Sequence, residues 1–448
     1  MDAHKPWQTL ILACLGFVLC CWAYLELAAL PQRTTIAPLL YFYSLAFAGL
    51  LFLYFSKIRW EIALAIGLVF RLMFWNHIPI LSQDFYRFLW DGHLNTLGIN
   101  PYDFKPNLLI EKIESPLTCT LYEGMGGLSQ QNYSNYPPAS QWLFALTAWL
   151  GGQSLMAQLG ILRFILIVGD VVAAIGLLRL VKSYAYPKQV VWGYYLNPLL
   201  IVEATGNLHS EGLMLAAVAW GIWFLKQNKW IGSAFFFAMS VAIKLVPLIW
   251  LPLLLQHMDK KGLIRMIGYG SLFSVFFWSS YFNPTTISHY LQTIGLWFSN
   301  FEFNASWYYL IREWGYQLTG YNIIRTLGKI TPWLLTGTIG LFAIWPRKGK
   351  EKLLWQHALG LLSLYYFTAT TIHPWYVIHL VFLGSLTQYR YSWIWSYTVF
   401  FSYLSYQNVV VEAPPWLVWL EYLPVYTFLF WEIWNYNIRS RLTSVSFK

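Results

Sequence analysis

The chain has 448 residues, of which 58% are hydrophobic, 20% aromatic and only 11% charged, a composition outside the range of soluble globular proteins. Apolar blocks recur along its whole length, which predicts an all-α, polytopic transmembrane helix bundle of about 12–14 membrane segments rather than a soluble domain with one anchor. A net charge of +10 would suggest nucleic acid in a soluble protein, but loop topology accounts for it here, and no nucleic-acid partner is expected. Three of the four cysteines (Cys14, Cys20, Cys21) lie in the first apolar block and Cys119 in a loop, so neither a disulfide framework nor a CxxC metal site is indicated.

Near the N-terminus Lys5 precedes a long apolar stretch with no small-residue cleavage site, and more spans follow, so a retained helix is expected. In chain order the predicted spans are roughly 8–30, 37–56, 60–77, 155–180, 189–206, 211–226, 230–243, 245–257, 263–281, 322–345, 353–371, 375–389, 392–409 and 416–436. Several have only about 13–16 residues, or ~20–24 Å, against a hydrocarbon core of ~30 Å. Prolines in Lys244-Leu-Val-Pro247 and His373-Pro374-Trp375 suggest helices that stop inside the protein and line a cavity.

The segment YPPASQWLFALTAWLGG (136–152) decides sidedness. As an interfacial or re-entrant helix it leaves most of the 29 lysines and arginines on one side, in Lys5, Lys57, Arg59, the runs 179–188, 226–229, 260–265 and 347–352, Arg390, and 439–448. By the positive-inside rule that side is cytoplasmic and holds both termini. Counted as a full span, 136–152 would send those basic runs outward. The preferred topology puts the long loops 78–154 and 282–321 on the external face, with the turns at 207–211, 244, 372–375 and 410–415. No internal repeat or linker is evident, and the chain reads as one domain over 1–448.

The densest early cluster of charge is ILSQDFYRFLWDGHLNTLGINPY (80–102), directly after an apolar run. At helical spacing Asp84, Arg87 and Asp91 share a ~60° arc, with Phe85, Phe88 and Leu89 opposite. That pattern predicts an amphipathic helix lying on the external membrane surface, apolar face down. A solvated polar face is the plain reading. Surface helices usually carry Lys and Arg, however, and carboxylates at a cavity mouth better suit a general base.

The stretch SQDFYRFLWDGHLNTLGINPYDF resembles the first external loop of the GT-C superfamily of membrane glycosyltransferases, in particular bacterial enzymes that use polyprenyl-phosphate-mannose. The match covers Asp84, Tyr86, Arg87, Trp90, Asp91, Gly92, Gly98, Asn100, Pro101 and Tyr102. Farther on, NYPPASQWLFAL, AIKLVPLIWLP, FNASWYYLIR and TIHPWYVIHL are similar to later motifs of that family, in the same order. The resemblance implies an inverting hexosyltransferase, with mannose the first choice of sugar and Asp84 the catalytic base. The acceptor would be a glycan, glycolipid or protein, and the site would face outside a bacterial inner membrane.

A polyprenyl-phosphate sugar has a good leaving group, so such chemistry needs a base for the acceptor hydroxyl and positive charge for the departing phosphate. Asp91 is a candidate to orient the acceptor or Arg87, or to pair within the loop. Lys244 is the first candidate for the phosphate, because an ammonium at the end of a short apolar segment costs about 2.5–3.5 kcal/mol to insert; snorkelling is its plain alternative. Arg312 is a second cation. His209 and Glu211 in GNLHSEG are similar to a His-x-Asp turn of the family, with Glu in place of Asp. His373 is a candidate phosphate donor, and Asp170, mid-membrane in LIVGDVVAA, is expected to bond another helix's hydroxyl or backbone.

No metal-ligand spacing and no Gly-rich phosphate loop occurs, so no metal or cofactor is expected. The rival readings are a secondary transporter, which usually carries two related halves, and a ligase or polymerase of lipid-linked polysaccharide.

Overall fold

The computed structural model describes residues 6–254, 258–344, 351–387, 389–406 and 414–445. Lys5, Arg347, Lys348, Lys350 and Lys448, which bear on the topology, lie outside these residues, as do 255–257, 345, 388, 407–409 and 410–413 of the expected spans and turns. The chain is an all-α polytopic bundle. By length and composition, helices over Pro6–Ala29, Ile36–Ser56 and Leu155–Ser183 are long and apolar enough to cross a membrane. Pro198–Gly206 and Glu211–Lys226 are long and apolar enough only when taken together, and they are bent by 113° at the intervening turn, as in a broken span or a re-entrant loop.

The first two helices form a tight hairpin because glycines meet: a Cβ on Gly16 would lie 2.8 Å from the Gly49 carbonyl oxygen. Its second helix docks on a late segment, where Tyr43 stacks on Phe400 at 3.6 Å between ring centroids and donates to the Ser396 carbonyl at 2.6 Å.

Several predicted spans are broken. The stretch expected as a continuous span over 189–206 is a chain of short turns, 3-10 over Lys188–Val191, α over Trp192–Tyr195 and Pro198–Leu200, and π over Ile201–Gly206. Pro198 lacks the N–H that would carry a helix through. Likewise 245–257 supplies a 3-10 turn over Val246–Ile249 and a short helix over Leu251–Leu254, and 392–409 passes from α-helix at Tyr391–Thr398 into 3-10 helix at Val399–Tyr406. Pro138–Gly151, the helix of the ambiguous 136–152 segment, has 14 residues, about 21 Å.

The 78–154 loop is a folded cap. Its helix Asp84–Thr96 begins where the charge cluster begins, but it does not lie on the surface as expected: Phe85, Arg87, Phe88, Leu89, Trp90, Asp91 and Leu94 are all buried. The rest of the loop folds back over the polar edge while Pro138–Gly151 packs beside it. Gly92 permits that contact, since a Cβ there would sit 2.3 Å from the Phe144 carbonyl oxygen. Gly98, at φ 72°, ends the helix in a Schellman turn, with Ile99 N–H donating to Leu94 O at 2.9 Å and Gly98 N–H to Asn95 O at 3.1 Å. Asn100 then donates to Thr286 at 2.8 Å, and the Tyr102 hydroxyl to the Tyr136 carbonyl at 2.5 Å. The Gly-Ile-Asn-Pro-Tyr motif is thus a clasp between the two long loops.

The 282–321 loop contains helices Pro284–Ser299 and Trp307–Thr319. The second exposes Trp307, Leu310, Ile311, Trp314 and Leu318 along one stripe, the pattern of a helix seated in a membrane interface.

Gly92→Ala is expected to cost about 1–3 kcal/mol by overpacking a backbone contact. Thermal unfolding of the purified protein in detergent checks this; an unchanged Tm would show that the two helices can part without loss.

Candidate active site

A cavity of about 590 Å³ opens where these breaks converge. Asp84, Arg87 and Phe88 of the first-loop helix form one wall, with Asn132, Tyr133 and Asn135–Pro137 of the same cap. His209, from the bent span, and Lys244–Val246 form another. Phe301–Phe303, Thr371 and His373–Tyr376 close a third side, and Arg33, Tyr403 and Tyr406 complete it.

Each wall is tied to its neighbour. Phe303 N–H donates to Thr370 O at 3.0 Å and Ile372 N–H to Phe303 O at 2.8 Å, joining the second loop to the His373 turn. Behind the first-loop wall the Arg87 Nε donates to Asp91 Oδ1 at 2.7 Å, and its Nη1 to the Ser129 and Asn132 carbonyls at 2.6 and 3.0 Å. The other Asp91 oxygen accepts from Ser134 at 2.5 Å and Gln141 at 2.9 Å. Asp91 is therefore fully engaged behind the wall and does not line the cavity, whereas Asp84 does.

Among the described residues nothing donates a hydrogen bond to the Asp84 carboxylate, although its own N–H donates to the Ser82 hydroxyl at 3.3 Å. Burial pushes its carboxyl up to about 6, with Lys244 pulling it down and Glu211 pushing it further up. A base with lone pairs free and a pKa near the working pH is suited to taking a proton.

Lys244 sits where the helix Trp230–Ile243 gives way to extended backbone, at φ −148° and ψ 144°. Its ammonium pairs with the buried Glu211 carboxylate. His209, Trp375, His373 and Phe303 form a continuous stack, with centroid separations of 3.8, 4.4 and 5.2 Å. Burial, then the charge of Lys244, holds the His373 imidazole down at about 3, so the ring is neutral at pH 7. Arg312 stands outside the cavity and donates to Glu302, a lining residue, at 2.8 Å. Among the described residues no group of three or more His, Cys, Asp or Glu side chains is placed to hold a metal ion.

Residues 2–259, more than half of the chain, match the family model described as alpha-(1->6)-mannopyranosyltransferase, N-terminal domain. The chain belongs to this mannosyltransferase family. Similar proteins include alpha-(1->6)-mannopyranosyltransferase A of Mycobacterium tuberculosis, 24% identical over 193 residues, which is 41% of this chain and 35% of the relative. The enzyme of the same name from Corynebacterium glutamicum is 21% identical over 179 residues, 39% of this chain and 34% of the relative. GPI mannosyltransferase 1 of Debaryomyces hansenii is 25% identical over 152 residues, 32% and 35%. The chain spans about a third of the length of these relatives.

The stretch that matches this mannosyltransferase family carries Asp84, Arg87, Asp91, His209, Glu211 and Lys244; Arg312 and His373 lie beyond it. The fold brings Asp84, Arg87, His209, Lys244 and His373 around one cavity, with Glu211 directly behind. Sequence reasoning missed Arg33, Glu302, Tyr403 and Tyr406. It also missed Glu203, which accepts from Tyr403 at 2.7 Å and Asn207 at 3.0 Å. Arg33 lies in a short turn with no motif, and Glu203 in a segment read as plain span. A carboxylate inside an apolar span was the available signal for Glu203.

A base role for Asp84 would set the pH dependence of transfer. A base works deprotonated, so activity is full above its pKa and is lost as pH falls through it. The expected profile falls about tenfold per pH unit below pH ~6. Steady-state transfer at saturating substrates between pH 4.5 and 8 checks it; a flat acid limb would exclude this carboxyl as base.

Proposed function

We propose that this chain transfers a hexose, mannose first, from a polyprenyl-phosphate donor to a glycan, glycolipid or protein acceptor on the external face of a bacterial inner membrane. The observation that carries the proposal is a carboxylate free of hydrogen bonds, Asp84, facing the same cavity as the Lys244 ammonium, where several membrane helices break. Family membership supports the choice of mannose.

The acceptor oxygen attacks the anomeric carbon as Asp84 takes its proton. The bond from that carbon to the phosphate oxygen breaks on the opposite side, and polyprenyl phosphate leaves with the electron pair. Inversion onto an α-linked product requires a β-linked donor. Lys244 spends part of its donor capacity on Glu211, and its remaining N–H groups meet the departing oxygen. Asp91 is a positioning residue that holds Arg87 against the wall.

Asp84→Asn keeps the shape and removes the base, and it is expected to slow transfer 10²–10⁴-fold with donor binding intact. Asp91→Asn is expected to lower thermal stability more than turnover, because it weakens a buried pair. Assays with a panel of polyprenyl-phosphate sugars, with thermal unfolding of both variants, decide between these outcomes; if Asp84→Asn transfers normally while Asp91→Asn is inert, the base is misassigned.

Lys244→Ala is expected to reduce transfer at least tenfold, with Lys244→Arg retaining part of it, since one charge-assisted contact contributes ~1.5–3 kcal/mol. Making the change together with Glu211→Gln separates the lost contact from the stranded carboxylate: recovery of activity in the double variant would show that Lys244 only neutralises Glu211.

A further inference from the structure

Five charged side chains line the cavity: Arg33, Asp84, Arg87, Lys244 and Glu302. Three are neutralised from behind the wall, Arg87 by Asp91, Lys244 by Glu211 and Glu302 by Arg312. Asp84 and Arg33 have no ion-pair partner among the described residues. Asp84 is the proposed base, which leaves Arg33 as the uncompensated lining cation among the described residues.

Arg33 is held there by the fold. It lies in the turn between the first two helices, closed by Thr35 N–H donating to Gln32 O at 3.2 Å. The second helix is fixed to the helix Tyr391–Thr398 and the 3-10 segment that continues it, through Tyr43 and through the Ser44 and Tyr397 hydroxyls 2.9 Å apart. That docking sets the guanidinium 4.3 Å above the centre of the Tyr406 ring, itself a cavity residue. Ring contact orients the planar cation without taking its N–H donors or its charge, so its fork stays available for a bidentate anion.

On the reading of a lipid-phosphate donor, we infer that Arg33 is the residue that binds the donor's phosphate, with Lys244 acting as a hydrogen-bond donor whose charge Glu211 has already balanced. A paired ammonium offers N–H groups but little net attraction at a distance. An arginine with no acid beside it offers both. The remote position of Arg33 in the sequence, more than fifty residues before Asp84, conceals the pairing of roles.

The test is binding to the purified full-length protein in neutral-lipid nanodiscs, followed by tryptophan fluorescence, with polyprenyl phosphate, the uncharged polyprenol and phosphatidylglycerol as separate probes. Arg33→Gln is expected to weaken polyprenyl phosphate about 10- to 100-fold, Arg33→Lys less, and polyprenol not at all. Thermal unfolding of each variant establishes that it is folded, and Arg33→Lys carries the test if the Gln variant is not. Unchanged affinity for polyprenyl phosphate overturns the inference while leaving the donor reading intact. An equal loss for polyprenol overturns it in favour of a packing role. Competition by phosphatidylglycerol that is equally lost in Arg33→Gln overturns it in favour of a general anionic-lipid site. Failure of the unmutated protein to bind polyprenyl phosphate sinks the donor reading, and this inference with it.

Discussion

A helix that breaks inside a bilayer frees carbonyls that no water can satisfy, and one buried guanidinium resolves this problem here. Arg163 donates from Nε to the Thr205 carbonyl in the π-helical break at 3.0 Å, and from Nη1 and Nη2 to the Trp75 and His77 carbonyls at 2.7 and 2.8 Å. A single side chain therefore fixes both the bent segment and the point where the chain leaves the helix Trp60–Leu72 for the first long loop. His209 and Asp84 lie a few residues beyond these anchors, so their placement in one cavity depends on it.

A second buried arginine supports the same region. Arg71 bonds Asp170 at 2.8 Å, the Gly67 carbonyl at 2.9 Å and the Tyr195 carbonyl at 3.0 Å, and its guanidinium lies 4.2 Å from the centre of the Tyr195 ring. Asp170, expected to bond another helix's hydroxyl or backbone, is paired with an arginine of another helix. Gly212 is required beside this pair, because a Cβ there would fall 1.7 Å from Asp170 Oδ1. Losing one member of such a pair leaves an uncompensated charge in a low-dielectric interior, at a cost of about 3–5 kcal/mol.

The cavity follows the same economy of charge. Pairs are closed behind its walls, and the two charged lining groups without ion-pair partners among the described residues have opposite signs. This suits a reaction that removes a proton from one reactant and leaves negative charge on the other. The aromatic stack from His209 to Phe303 gives the site a rigid flank made from three separate stretches of chain. The C-terminal helix Pro415–Val445 reaches it too, since Glu421 accepts from Asn304 at 3.1 Å and from Trp395 at 2.9 Å.

Composition and local pattern determined the helical membrane class, the existence of the Asp84 helix, and the candidacy of Asp84, His209, Lys244 and His373, because hydropathy, proline breaks and charge out of place are properties of short windows. They also suggested that Arg87 and Asp91 share a helix face, as residues four apart must. They misjudged what that face meets: the cap that covers it comes from residues 126–151, and burial by a distant segment leaves no trace in the helix's own spacing. Tertiary structure alone decided that Lys244 is neutralised by Glu211, that Asp170 meets Arg71, and that Arg33 stands over Tyr406. Those pairings depend on helix docking across as many as several hundred residues, and a charge shows its sign in a sequence but not its neighbour.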